Sequence, residues 1–377
     1  MTSRRELLLG AAAAGLTVAT AASAQDKAAG RSTGSSKPGR IRVVELGEQK
    51  SLETLRLVER PRPTPARDQA LIRVACSSLN ARDIGIAQAI FFGKKPATRI
   101  PLSEGAGEVV AVGTDVSNVK VGDRVTGCHY ANWQDGRWDQ RSFEADIGNT
   151  LDGWLGEEVL MPARTLARLP DAVSYETAAT LASSAVTVWH ALYHVAHVKA
   201  GDIVLSLGTG GVSTWGTQLA RAAGARVIVT SSSDNKLVQM RDLGADVGIN
   251  YRTNPAWGKA VFEATDGRGA DIVLENVGRP TLDESMHACA ENATIILIGT
   301  GPLPQELPRM PGVYQKNLTV KAISNGSRRM LEELLQAIAV NKLEGVIEKE
   351  FDLADAVEAY RFMRDGNRVG KVLIRHS

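Results

Sequence analysis

Apolar positions in the middle of the chain recur in two alternating modes: short unbroken runs, and runs spaced three or four apart. Residues 203–207 form an apolar run bounded by Gly201 and Gly208, which predicts a buried strand. Residues 212–223 carry helical spacing and close on Gly224, and residues 226–230 are a second, β-branched strand. The pattern repeats downstream. Helices are predicted at 236–243, ended by Gly244, at 255–264 and around 282–290, with strands at 247–250, 271–275 and 294–299. Strand and helix in alternation, joined by short loops, predict an α/β fold with a doubly wound parallel sheet.

The first part of the chain reads differently. Residues 41–46 and 55–59 predict a strand pair, a stiff segment carries Pro61, Pro63 and Pro65, and residues 69–77 alternate as another strand. The stretches 100–113 and 119–125 are β runs punctuated by glycine, which predicts a compact, barrel-like β domain. Residues 133–152 show no clear period and read as a long loop, 160–169 return to strand, and 175–198 are mostly helical. Beyond Pro302 a Pro-rich loop leads to a strand at 318–322, helices at 329–340 and 354–363, and a last strand at 371–374. This tail is expected to return to the first domain.

Composition adds limits. A chain of 377 residues, 44% apolar and 23% charged, suits two globular domains with separate cores. The formal net charge of +2 comes without a basic block interleaved with aromatics, which argues for small-molecule partners and against nucleic acid. Cys76, Cys128 and Cys289 are too few and too scattered for a disulfide framework or a zinc knuckle, and leave room for one disulfide. At the N-terminus, Arg4-Arg5 precede an alanine-rich apolar run and Ala22-Ser23-Ala24, a small-residue cleavage site before Gln25. This resembles a twin-arginine export signal and implies a periplasmic location; the apolar run is short for a stable membrane anchor, the alternative reading. Residues 25–40 then read as a linker rich in Gly, Ser, Lys and Ala.

The candidate chemistry centres on the turn after residue 207. Gly208 permits a tight turn, Gly210 and Gly211 let backbone approach a pyrophosphate, and the amides around Val212 open a helix whose dipole favours an anion. Ser213 stands where the usual pattern has its third glycine. At the end of the second strand, Thr230, Ser231, Ser232 and Ser233 offer hydroxyls, and Lys236 lies just beyond to meet a 2′-phosphate, so NADPH is expected over NADH. Alternatively the serines cap a helix starting near Asp234 and Lys236 is simply solvated.

The ordered motifs Asn80-x-Arg82-Asp83, Glu104-Gly-Ala-Gly-Glu-Val-Val, Val121-Gly-Asp-Arg-Val, the Gly208-Thr-Gly-Gly-Val turn, Leu243-Gly-Ala-Asp, Asn250-Tyr-Arg and Gly370-Lys-Val resemble the medium-chain dehydrogenase/reductase superfamily. Within it, the chain is most similar to zinc-independent quinone oxidoreductase-like and alcohol dehydrogenase-like members. The resemblance implies a GroES-like catalytic domain at 41–166, a Rossmann nucleotide-binding domain at 167–323, a segment at 324–377 that returns to the catalytic domain, and a leader at 1–24. It also implies a homodimer, and cofactor contacts from Asn80, Thr187, Tyr251, Asn276, Gly299 and Asn367. Each of these has a plainer role open to it: helix back-bonding for Thr187, a strand end for Tyr251, turns for Asn276 and Gly299, a helix cap for Asn367.

Zinc members of that superfamily bind the metal through positions matched here by Asn80, Ser103 and the 182–183 region. Neither thiolate nor imidazole stands there, so metal-free chemistry is expected. His190 and His194 share a helix face, with a structural or solvated role favoured. Without a Lewis acid, the substrates expected are quinones and α,β-unsaturated carbonyls, which spread developing charge themselves. Candidate donors to the enolate oxygen are Asn80, Arg82, Ser103 and Tyr130, although Arg82 and Asp83 could form a structural ion pair, and Tyr130 and Trp133 could simply pack. Two rivals stay open: an alcohol dehydrogenase working through a proton relay, and a non-enzymatic nucleotide-binding scaffold or redox sensor.

Overall fold

The computed structural model describes residues 39–91, 93–301 and 311–376. The leader expected at 1–24, most of the linker after it and most of the Pro-rich loop beyond Pro302 lie outside the described residues.

The chain opens with β1 (Arg40–Glu45) paired antiparallel to β2 (Arg56–Pro61). A second sheet follows from β3 (Gln69–Ser78), β4 (Glu104–Val112), β5 (Arg124–Gly127), β6 (Glu158–Pro162) and β7 (Leu166–Arg168). Its spine is β3, whose first half pairs with β6 while its whole length pairs with β4. The run expected as strand at 119–125 contributes only its end, because Gly122 takes φ +90° and the chain turns there before β5 begins.

The parallel sheet contains β8 (Ile203–Leu207), β9 (Arg226–Ser231), β10 (Val247–Asn250), β11 (Ala270–Glu275), β12 (Cys289–Leu297) and β13 (Thr319–Ala322). Its order is β10-β9-β8-β11-β12-β13, with every pairing parallel. This is the doubly wound arrangement expected from the alternation. All five residues of β8 are buried, as its unbroken apolar run requires. The strand order reverses between β8 and β11, and crevices beyond the carboxyl ends of strands at such a point are where ligands bind.

The tail then contributes β14 (Ile347–Asp352) and β15 (Lys371–Arg375), and β15 pairs antiparallel with the end of β3. Apolar periodicity had not marked β14, because its sequence Ile-Glu-Lys-Glu-Phe-Asp is largely solvent-facing. Gly370 donates its N–H to Thr209 O at 2.8 Å, so the tail crosses the glycine turn just before β15. Residues 175–198 are helical but broken. Wide turns at Leu181–Ala185 and His190–Val195 interrupt the regular helix, a form that recurs at functional sites.

Candidate active site

The turn after β8 is built for close approach. Gly208 takes φ +79°, which a side chain rarely adopts, and the helix Gly211–Ala222 starts directly beyond it. A Cβ on Gly210 would meet nothing within 4 Å, so that glycine leaves open space above the turn. Gly211 is different: its Cβ would fall 2.4 Å from Lys371 Cδ and 2.9 Å from Ser184 Oγ. Gly211 therefore admits a protein side chain, where the sequence suggested room for a pyrophosphate. The third-glycine role also moves. Ser213 donates to Leu207 O at 2.7 Å, whereas a Cβ on Gly216 would fall 2.8 Å from Leu274 Cδ1, so Gly216 sets the close packing of helix on sheet.

Two cavities flank this turn. The smaller, about 150 Å³, is lined by Gly208, Thr209, Gly210, Ser231, Ser232, Lys236, Tyr251, Gly366 and Arg368. Ser233 sits at the N-cap of the helix Asp234–Asp242 without a side-chain capping bond, and Asp234 accepts from Asn250 Nδ2 at 3.0 Å. Ser231 and Ser232 line the cavity, and Ser231 Oγ accepts the N–H of the N-cap residue Ser233 at 3.3 Å. Burial, reinforced by Arg368, lowers the Lys236 ammonium from its ordinary value. Asn367 is exposed and does not line the cavity; its neighbour Arg368 does, and its backbone O accepts from Thr209 Oγ1 at 2.9 Å.

The larger cleft, about 570 Å³, gathers Asn80, Arg82, Tyr130, Thr187, Val212, Asn276 and Gly299 from six different segments, with Phe91, Phe143, Ile298 and Ile323 supplying apolar walls. Asn276 donates to Leu207 O at 2.9 Å and to Ser213 Oγ at 3.1 Å, which ties the end of β11 to the glycine turn. Thr187 bonds back to Ser183 O at 2.5 Å while still lining the cleft. Ser103 does not line it. Its side chain is fully buried and its Oγ has no partner among the described residues.

Behind Asn80 lies a buried network. Glu104 Oε1 accepts the backbone N–H groups of Ser183 and Ser184 at 2.5 and 2.8 Å, both first-turn amides of the helical segment after Thr180. Its Oε2 accepts from Ser78 Oγ at 2.7 Å, Asn80 Nδ2 at 3.0 Å and Lys371 Nζ at 2.7 Å. Lys371 Nζ also donates to Asn80 Oδ1 at 2.7 Å and Ser184 Oγ at 3.2 Å. The Asn80 amide is therefore fixed at both ends. Burial lowers the Lys371 ammonium, and the Glu104 carboxylate opposes that shift. Lys371 was not singled out from the sequence as a site residue, yet the signal exists: a lysine directly before the apolar run Val372-Leu-Ile of a buried strand.

Beside Arg82, the expected Asp83 pairing gives way to another. Arg82 Nη2 donates to Asp146 Oδ2 at 2.7 Å, and Arg82 Nη1 bonds His129 Nε2. Asp83 instead accepts the Asn80 N–H at 2.7 Å, and burial pushes its carboxyl up to about 7. Tyr130 packs edge-on against Trp138 and Phe143, so it combines a cleft-facing position with an aromatic packing role. His190 and His194 turn to different partners, the carbonyls of Ser324 and Asn325 and the Glu333 carboxylate. All three cysteines are buried and unbridged.

Comparison with known proteins agrees with this architecture. Residues 66–171 match the alcohol dehydrogenase GroES-like domain and residues 211–340 the zinc-binding dehydrogenase family. A zinc-type alcohol dehydrogenase-like protein of Schizosaccharomyces pombe is 34% identical over 313 residues, 81% of this chain and 90% of the relative. An acryloyl-coenzyme A reductase of Sulfurisphaera tokodaii is 26% identical over 85% of this chain and 96% of its own. Among solved structures, a Sinorhizobium meliloti protein assigned as an alcohol dehydrogenase superposes with TM-score 0.83 at 32% identity, covering 90% of this chain and all of the other. A quinone oxidoreductase of Pseudomonas syringae gives 0.75 at 27%, covering 89% and 99%. A mycobacterial protein solved with NADPH gives 0.74 at 28%, with the same coverage. Two matched domains, one on each side of the glycine turn, and a relative aligned over most of both chains place this chain in the medium-chain dehydrogenase/reductase superfamily of NAD(P)-dependent oxidoreductases.

Proposed function

We propose that the protein is a zinc-independent, NADPH-dependent reductase of quinones or α,β-unsaturated carbonyls. The observation that carries the metal-free part is the donor set behind Asn80. Zinc sites need several thiolate, imidazole or carboxylate ligands on one centre. Here the matched positions hold Asn80, Ser103 and Ser183, the Glu104 carboxylate beside them is bonded to an ammonium and four other donors, and the Asp83 carboxyl accepts the Asn80 N–H. These residues do not fit a zinc ion. Among the described residues no group of three His, Cys, Asp or Glu side chains could hold a metal.

NADPH would lie across the glycine turn, with Lys236, Arg368, Ser231 and Ser232 around a 2′-phosphate and Asn80, Thr187 and Asn276 in the nicotinamide half of the cleft. Among the described residues no carboxylate lines the smaller cavity to receive a ribose 2′-hydroxyl, and two cations stand there for a phosphate. The mycobacterial neighbour solved with NADPH supports this preference. When bound, NADPH supplies the hydride, which adds to the conjugated carbon while the C=C pair moves toward oxygen. Arg82 and Tyr130, which line this cleft, would donate to that oxygen as it gains charge, the walls from Phe91, Phe143, Ile298 and Ile323 suit a planar apolar acceptor, and water provides the final proton. The similarity to an acryloyl-coenzyme A reductase and to a quinone oxidoreductase supports a conjugated acceptor.

A second reading, reduction of saturated aldehydes and ketones, is favoured by the alcohol dehydrogenase-like neighbours. Nicotinamide oxidation by purified protein, with an enone and its matching saturated ketone, each with NADPH and NADH, separates the two. Turnover of the enone with NADPH is expected; equal turnover of both ketones would support the second reading.

β13 ends the described parallel sheet with all four residues exposed, an edge on which a second copy could pair to form a homodimer. The Arg4-Arg5 leader would send the folded enzyme to the periplasm. Among the described residues no helix is long and apolar enough to cross a membrane.

A further inference from the structure

Arg82 is the only charged side chain among the described residues lining the larger cleft, and its surroundings are unusual for an exposed-site cation. It is 13% exposed, while Asp146 and His129 are fully buried. Asp146 Oδ2 accepts from Arg82 Nη2 at 2.7 Å and from Asn149 Nδ2 at 2.9 Å. His129 Nε2 takes the other arm of the guanidinium and lies 3.2 Å from Asp146 Oδ1. Burial, reinforced by the neighbouring guanidinium, holds His129 well below its ordinary value and therefore neutral. A neutral imidazole that accepts from Arg82 at Nε2 carries its proton on Nδ1, which is buried without a partner among the described residues.

We propose that Asp146 and His129 are positioning residues that hold Arg82 as a charge-compensated donor, so that the cleft favours a neutral conjugated carbonyl over a carboxylate. The inference rests on the conjugate-reduction reading and names the substrate class within it. The charges of Arg82 and Asp146 cancel in the ground state. A carboxylate entering this partly apolar cleft would lose hydration without gaining a net countercharge. A neutral carbonyl loses far less on entry, and its oxygen becomes anionic only as hydride arrives. At that moment a guanidinium already fixed by two buried partners can strengthen its bond without reorganising. His129, which brings no charge, fixes the orientation of the fork.

The test uses the full chain and two ligands of one shape, cinnamaldehyde as acceptor and cinnamate as carboxylate probe. Asp146→Asn keeps the shape and removes the countercharge. Its cinnamate dissociation constant, measured on nucleotide-free protein, is expected to fall by about tenfold, while NADPH affinity stays within about twofold. His129→Gln leaves the charge balance intact, so it should lower kcat without tightening cinnamate. Arg82→Gln reverses the sign: the bare Asp146 carboxylate should weaken cinnamate binding, which keeps the proposal testable if Asp146→Asn does not fold. Unchanged cinnamate affinity in every one of Asp146→Asn and Arg82→Gln that folds would overturn the inference. Absence of wild-type turnover with any enal or enone would overturn the underlying reading instead.

Discussion

Removing the Lys371 ammonium should destabilise the protein strongly and in a way that depends on Glu104. In Lys371→Met the side-chain volume is nearly kept, so packing against Gly211 changes little. The Glu104 carboxylate, however, is left fully buried without its cation. Breaking a buried pair by removing one partner costs about 3–5 kcal/mol. Four donors to Glu104 remain, from Ser183, Ser184, Ser78 and Asn80, which places the expected loss near the lower end, about 3 kcal/mol. For a chain of this size that corresponds to a fall in Tm of about 6 °C. Glu104→Gln alone should cost a similar amount, because it strands Lys371 against an amide. The double variant should cost less than the sum by about 2 kcal/mol or more, since neither charge is then left alone. Chemical denaturation of the four proteins reads this coupling. Additivity within about 0.5 kcal/mol would refute the claim that Glu104 and Lys371 act as one buried pair.

Other outcomes follow from the same geometry. Lys236→Ala and Arg368→Ala should each weaken NADPH binding about tenfold or more while leaving NADH binding within about twofold, measured by fluorescence titration; equal losses for both nucleotides would remove these residues from the 2′-phosphate. Gly210→Ala, with open space and a φ of −78°, should leave stability within about 0.5 kcal/mol but weaken nucleotide binding, whereas Gly211→Ala should lower stability by about 2 kcal/mol because its Cβ meets Lys371. His376 is buried between Ser77 Oγ and Gly156 O, and burial lowers it to about 4. Its folded value lies below the unfolded value, so the stability it contributes is present above about pH 6.5 and lost as pH falls toward about 4, on the order of 3 kcal/mol in all. The wild type should therefore lose more stability than His376→Asn between pH 7 and 4.5, and parallel curves would contradict this.

Much of the nucleotide half was legible because its signals are local. An apolar run, a glycine and a 3.6-residue period define strand, turn and helix within twenty residues, and the six-stranded parallel sheet assembled as that alternation implies. The sequence also marks Asn80, Arg82, Tyr130, Asn276 and Gly299, which the fold brings to the lining of one cleft. What sequence could not supply were pairings across long separations. Lys371 meets Glu104 from 267 positions away and Asp146 meets Arg82 from 64, and no periodicity marks such partners. Gly211 illustrates the same limit: the need for a missing Cβ was readable, but the identity of the approaching group was set by the returning tail. Ser103 followed the motif match alone, and the fold buries it away from the cleft.

The most direct test of the central claim is where the hydride lands. NADPH deuterated at the transferred position of the nicotinamide, incubated with the enzyme and an enone, should place deuterium on the β-carbon of a saturated ketone, read by NMR. Deuterium on the carbonyl carbon of an allylic alcohol would contradict conjugate reduction and return the protein to alcohol dehydrogenase chemistry.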